Sequence, residues 1–280
     1  MSEPLVGVVL VTHNSAAWLQ ETLESISAQT HLPNRVVIVD DYSTDDTGVL
    51  VHEWAASVRR LGVSVETVTS TSVDEEPRTR IARNFTQGVR ILSGMDFVAL
   101  ADHDDAWLPH RLEVQTALMS EQGSSYLASN GLLEGVSGTL VEAFDIPDDV
   151  ENWEPKALLR HVLRHSVATG SASMIRPDEL LRIESFVPPP RWLHDRWWSI
   201  LVASQGTLQI SREPVIKYRI SPGQSVGLDR GRQGTKGLRR FRSIEAADLG
   251  RLSALHALKK QAAPELRGEL TWGRLAKTLR

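Results

Sequence analysis

The 280-residue chain has no cysteine, which rules out disulfides, thiol nucleophiles and thiolate zinc sites and leaves oxygen and imidazole as its metal donors. That narrows an expected metal to Mg²⁺ or Mn²⁺. No apolar run approaches the roughly 18 residues a membrane span needs. The opening "MSEPLVGVVLVTHN" shows neither a basic leader nor a small-residue cleavage site, so a cytoplasmic protein is expected. There is no internal repeat. The loop after the first apolar run, "VTHNSAAW", has neither Gly nor Lys, against the Gly-rich basic loop of a nucleotidyltransferase.

What is present is a hydrophobic fraction of 41%, enough to fill a core, and an uneven charge. Residues 228–280 carry 13 Lys/Arg against 5 Asp/Glu, a balance of +8, leaving 18 against 30, or −12, for residues 1–227. The basic stretch reads either as a solvated helix face or as a patch for an anionic membrane surface or acidic acceptor. No nucleic-acid partner is expected.

The first hundred residues alternate short apolar runs with helix-like stretches. "LVGVVLV" (5–11) suits a strand buried on both faces. Asn14 or Ser15 is expected to cap a helix with Trp18, Leu19, Leu23 and Ile26 on its apolar face. Strands are expected at 35–40, 63–68 and 96–102, with an acidic loop around 70–77 and a helix over 78–93. The pattern is α/β with a mostly parallel sheet flanked by helices. Further on, "VATGSASMIRPDEL" (167–180) reads as strand, turn and helix start, with Gly170 free for a close backbone approach to a ligand. "VPPPRWLHDRWWSILVASQG" (187–206) reads as a loop and an apolar helix ending at Gly206. Residues 207–220 suggest a hairpin, 227–240 a mobile hinge, and 243–280 a helical, peripheral extension.

In an open parallel sheet, ligands bind beyond the carboxyl ends of the strands. Those ends present Thr12-His13-Asn14, Asp40-Asp41 and Asp102-His103-Asp104-Asp105. Three carboxylates within four residues repel unless solvent or a cation separates them. On an extended segment Asp102 and Asp104 would face one ligand while His103 turned away, an arrangement that suits a hard divalent cation keeping open positions for phosphates. The competing reading makes Asp104 or Asp105 the cap of a helix near Trp107-Leu108-Pro109.

Four blocks, "VLVTHNSAAWLQETLESISAQT", "RVVIVDDYSTDDT", "RIARNFTQGVRI" and "DFVALADHDDAWLPHRLE", together resemble the nucleotide-sugar-binding half of inverting family-two glycosyltransferases with a GT-A fold. "HDRWW" and "VIKYRISPGQSVG" are similar to the later half of the branch that includes bacterial rhamnosyltransferases. The likeness covers residues 5–227. It implies a GT-A domain over 1–227, with a donor-binding half (1–118) and an acceptor-binding half (119–227), and a basic helical extension over 228–280.

The resemblance implies that Thr12, Asn14, Asp40 and Asp41 hold the nucleoside, with Arg80, Arg83 and Asn84 beside it. Asp104 would coordinate the metal, Asp102 would share it or bind the ribose, and Asp105 would approach the donor sugar. Asp195, at the mouth of the aromatic-rich segment, would be the general base. Trp192, Trp197 and Trp198 are sugar-stacking candidates, with core packing as the rival. Relatives of the branch often carry a His where this chain has Ser221, which leaves His13, His103 and His194 as stand-ins. The implied reaction moves a sugar from a dTDP- or UDP-linked donor to a carbohydrate, lipid-linked or small-molecule acceptor in cell-surface glycan or glycoconjugate synthesis. Nucleotidyl transfer, or a non-catalytic nucleotide-sugar-binding module, is the alternative.

Overall fold

The computed structural model describes residues 3–167, 169–220 and 246–278. An eight-stranded sheet carries the order β3-β2-β1-β4-β7-β6-β8-β5. Its strands are β1 (Val6–Thr12), β2 (Arg35–Asp40), β3 (Ser64–Thr69), β4 (Phe97–Asp102), β5 (Ala106–Trp107), β6 (Tyr126–Leu133), β7 (Ser173–Ile175) and β8 (Leu208–Tyr218). The helices are α1 (Leu19–Ser27), α2 (Thr47–Val58), α3 (Pro77–Ile91), α4 (Arg111–Gln122), α5 (Leu140–Ala143), α6 (Pro155–Val162), α7 (Pro177–Leu181), α8 (His194–Gln205), α9 (Ala246–Gln261) and α10 (Trp272–Thr278).

Strands β3, β2, β1 and β4 run parallel. The second half is mixed: β7 is antiparallel to β4 and β6, β8 is parallel to β6, and β5 is antiparallel to β8. The sheet is therefore uniformly parallel only in its first half. All seven residues of β1 are buried, as a β-branched strand covered on both faces should be. Register aligns Thr12 with Asp40 and Val11 with Asp102, so three chemically loaded strand ends form one row.

Local chemistry sets the helix boundaries. Pro77 opens α3 and Glu76 caps it by accepting from Thr79 N at 2.7 Å. Gly88 lets α3 lie on β1, since a Cβ there would meet Val9 Cγ1 at 2.4 Å. Gly206, in the left-handed region at φ 77°, closes α8.

Four expectations are corrected. Neither Asn14 nor Ser15 caps α1 through its side chain; the Ser15 carbonyl accepts from Trp18 and Leu19 N–H, and Trp18 is 42% exposed. Within 207–220, where a hairpin was expected, Leu208–Tyr218 form one long strand. Its Pro214 falls where the β6–β8 register shifts opposite Asn130, a place where proline costs no ladder bond. After Asp102 the chain turns at His103-Asp104 instead of continuing extended, and Ala106-Trp107 form a strand before α4 begins. Finally, the C-terminal helices are not peripheral: Leu255, Leu258, Leu266, Leu270 and Leu275 are buried in the main core cluster. The expected hinge at 227–240 and Ser221 lie outside the described residues. No helix among the described residues is long and apolar enough to cross a membrane.

Candidate active site

The first cluster sits at the ends of β1 and β2. Thr12 Oγ1 donates to Asp40 Oδ1 at 2.8 Å, and Asp40 also accepts from Ser43 Oγ at 2.6 Å and Ser43 N at 3.0 Å. Asp41 is buried and pairs with Arg80 Nε at 2.7 Å; its carbonyl lies 2.6 Å from His13 Nδ1. Asn14 Oδ1 accepts from Thr44 N at 2.8 Å, so the two loops are laced together. Two of their residues, Asn14 (φ 46°) and Tyr42 (φ 57°), occupy the left-handed region, uncommon for any non-glycine and an outlier for a bulky one. Tyr42 is nonetheless 59% exposed. Asn84 is fully buried; its Oδ1 accepts from Ser70 Oγ at 2.5 Å, and its Nδ2 finds no partner among the described residues. Arg83 is partly exposed on the same helix.

The second cluster follows β4. Burial, then repulsion from Asp104, Asp105 and Asp195, holds the Asp102 carboxyl well above the usual range against the opposing pull of Arg111. Asp105 is buried and pushed up to about 7 by burial and Asp104. Its Oδ1 accepts from Arg219 N at 2.8 Å. Behind the carboxylates lies Arg111, fully buried and stacked over Trp107 at 3.8 Å. It donates to Leu100 O at 2.9 Å, Ser173 O at 3.2 Å and Gln115 Oε1 at 3.1 Å. Burial lowers its pKa to about 9 even though Asp105 and Asp102 pull it up. No three His, Asp or Glu side chains form a ready-made cation cage among the described residues.

The third element is the start of α8. Asp195 Oδ2 accepts from Gly170 N at 3.1 Å and Oδ1 from Arg196 N at 2.5 Å. Burial lifts its pKa to about 6, and those N–H groups and the Arg196 charge restrain the rise. Its charge in turn raises Asp102 and Tyr126, which places the β4 carboxylates, β6 and the α8 terminus in one electrostatic site. Arg196 is anchored on the carbonyls of Val162 and His165.

Residues 7–143 match the family described as Glycosyl transferase family 2. That match runs from β1 through α5, just under half of the chain. Staphylococcus aureus TarS 1-349 in complex with UDP-GlcNAc superposes with a TM-score of 0.66 at 17% identity, over 98% of this chain and 71% of that one. The mannosyltransferase PcManGT of Pyrobaculum calidifontis, in complex with GDP-Man and Mn²⁺, superposes with a TM-score of 0.54 at 17% identity, over 99% and 70%. These likenesses establish the GT-A fold. A Bacillus subtilis protein provisionally named as the teichuronic acid biosynthesis glycosyltransferase TuaG is 28% identical over 142 residues, 51% of this chain and 52% of its own. The chain spans about half the length of the curated relatives it matches.

The structure gathers Thr12, Asn14, Asp40, Asp41 and Arg80 at the ends of β1 and β2, and Asp104, Asp105 and Asp195 each act on Asp102 at the end of β4; of these residues only Asp195 lies outside the matched segment. Trp192, Trp197 and Trp198 are buried in the core, with the Trp197 and Trp198 indoles donating to Ser185 O and Phe186 O, so they offer no face to a sugar. Gly170 makes its close approach to His194 rather than to an open cleft. Sequence reasoning missed Arg111 and Arg219. Arg111 stands in "LPHRLE", where nothing local signals a buried arginine. Arg219 pairs with Glu21 at 2.5 Å and Glu134 at 2.6 Å, partners too distant in sequence to be inferred.

Proposed function

We propose that the protein is a divalent-metal-dependent, inverting glycosyltransferase that moves a sugar from a nucleoside-diphosphate sugar, dTDP- or UDP-linked, to an acceptor hydroxyl. The observation that carries this reading is the electrostatic convergence of Asp102, Asp104 and Asp105, inside the segment that matches Glycosyl transferase family 2, with Asp195, beyond its end. Asp195 serves as general base: it takes the proton of the acceptor hydroxyl as that oxygen attacks the anomeric carbon from the face opposite the diphosphate, and configuration inverts. A carboxylate with a pKa near 6 is charged at neutral pH and basic enough for that step.

The carboxylate cluster suits a cation. Burial and the charges of Asp104, Asp105 and Asp195 raise Asp102 against the opposing charge of Arg111, and the hard oxygen donors of the cluster match Mg²⁺ or Mn²⁺. Asp104 would hold the ion with Asp102; a site of one or two carboxylates, completed by substrate phosphates, does not need a three-residue cage. The bound ion would stabilise charge on the departing diphosphate. Thr12, Asn14, Asp40, Asp41, Arg80, Arg83, Asn84 and Asp105 bind the nucleoside and donor sugar. The UDP-GlcNAc of TarS and the GDP-Man and Mn²⁺ of the mannosyltransferase are in keeping with such a donor and ion.

The acceptor belongs to cell-surface glycan synthesis, as the teichuronic acid name of the Bacillus relative suggests, and a lipid-linked glycan suits the +8 balance of residues 228–280. Rhamnose stays among the donor sugars through the likeness of "HDRWW". The test is release of free nucleoside diphosphate from a panel of UDP-, dTDP- and GDP-sugars with Mn²⁺ or Mg²⁺. Slow release, lost in Asp104→Ala, is expected. Pyrophosphate release would redirect the reading to nucleotidyl transfer, and binding without turnover for any acceptor would reduce it to a binding module.

A further inference from the structure

Gly170 and His194 meet more closely than any side chain at position 170 would permit. A Cβ on Gly170 would lie 2.4 Å from His194 Nε2 and 3.0 Å from its Cε1. The imidazole has nowhere to retreat. Phe85 stacks on it at 3.8 Å with 23° between the planes, Trp198 meets it edge-on at 5.2 Å and 66°, and the residue is 3% exposed. Neither ring nitrogen has a hydrogen-bond partner among the described residues. Burial lowers its pKa to about 3, so the ring is neutral near physiological pH. Such a histidine is suited to act through its shape.

The same glycine has a second contact. Its N–H donates to Asp195 Oδ2, and His194 is the residue before Asp195, at the first position of α8. One residue therefore holds the carboxylate with its nitrogen and, by lacking a Cβ, leaves room for the neighbouring His194 ring.

We propose that Gly170 and His194 form a matched steric pair that sets the position and rotamer of the Asp195 carboxylate. Both are positioning residues, and the inference rests on Asp195 being the base. The pair lies at the start of α8, whereas Thr12, Asp40 and Asp41 lie at the ends of β1 and β2. Disturbing it should therefore slow turnover without weakening nucleotide binding. Because the defect in Gly170→Ala is a clash with one particular ring, removing that ring should relieve it.

The experiment compares Gly170→Ala, His194→Ala, the double variant and Asp195→Asn in the full chain. Nucleoside diphosphate release gives kcat and KM, calorimetry gives the Kd of the nucleoside diphosphate with Mn²⁺, and thermal unfolding gives Tm. The expected result is a kcat about 100-fold lower in Gly170→Ala and about 10-fold lower in His194→Ala. Donor KM and nucleotide Kd should change by less than about threefold. The double variant should recover to within a few-fold of His194→Ala in kcat and regain Tm lost in Gly170→Ala. Independent losses that multiply to about 1,000-fold, or wild-type kcat in Gly170→Ala, overturn the pairing. If Gly170→Ala does not fold, refolding of the double variant supports the pairing and its failure to refold overturns it. Full activity in Asp195→Asn overturns the base assignment on which the inference stands, whereas loss there with multiplying single effects overturns the pairing alone.

Discussion

The backbone N–H of Arg219 donates to Asp105 Oδ1 at 2.8 Å, fastening the end of the longest strand to the most buried carboxylate of the cluster. The bond needs an oxygen acceptor but not a negative charge. Asp105, raised to about 7 by burial and Asp104, is a group whose folded pKa exceeds its unfolded one. Its contribution favours folding below about pH 4 and is lost as pH rises through 7. Asp105→Asn keeps the acceptor and discards the charge. In chelator at pH 8 it should be more stable than the wild type by on the order of 2–4 kcal/mol, with the advantage gone by pH 4. Urea unfolding at the two pH values checks this; equal stability at pH 8 refutes it.

Turnover should fall on the acid side as Asp195 is protonated, with a limb near pH 6 in kcat/KM. Asp195→Asn should lower kcat by roughly 10²- to 10⁴-fold while leaving nucleotide affinity within a few-fold. A pH–rate profile flat from 5 to 8 would remove Asp195 from the role.

Arg111 has no exposed route to a replacement partner, and its removal strands Asp102 and Asp105 together with the carbonyls of Leu100 and Ser173. Arg111→Met should cost about 3–5 kcal/mol at pH 8. The cost should shrink as pH falls, because the carboxylates it opposes then take up protons. Denaturant titration at pH 8 and pH 5 would show a pH-independent loss if the arginine served packing alone.

Two kinds of contact dock the C-terminal helices, and they should differ in worth. Glu269 accepts from Arg160 at 2.6 and 2.7 Å, but the arginine is half-exposed, so Glu269→Gln should cost at most about 1 kcal/mol. Leu258→Ala, by contrast, empties a fully buried position and should cost about 2–5 kcal/mol. Thermal midpoints of the two variants rank them; a larger loss for Glu269→Gln would reverse the assignment.

Much of the first half of the fold was legible because its signals are local. The β-branched runs at 5–11 and 35–40 and the helix expected over 78–93 each need only their own neighbours, and the boundaries fall within one or two residues. The carboxylate row was legible for the same reason: strand ends of a parallel sheet share one edge by construction. Illegible features depend on distant partners. Arg111 is buried because Leu100 and Ser173 converge on it from two strands. Leu208–Tyr218 stay one strand because Asn130 absorbs the Pro214 irregularity. Asn14, read as a cap, instead adopts a left-handed backbone set by the 43–44 loop. For the tryptophans after Asp195 the sequence left sugar stacking and packing open, and packing holds: both are fully buried in an apolar helix.

Asn14 and Tyr42 hold left-handed backbone conformations on adjacent loops laced by Ser43 and Thr44. Such conformations cost on the order of 1–3 kcal/mol each, and here folding itself has already met that cost. A ligand arriving at these strand ends therefore finds preorganised walls and loses little of its affinity to ordering them. Relaxing either residue, as Tyr42→Gly would, should leave the native contacts in place yet make the pocket slower to recognise its guest.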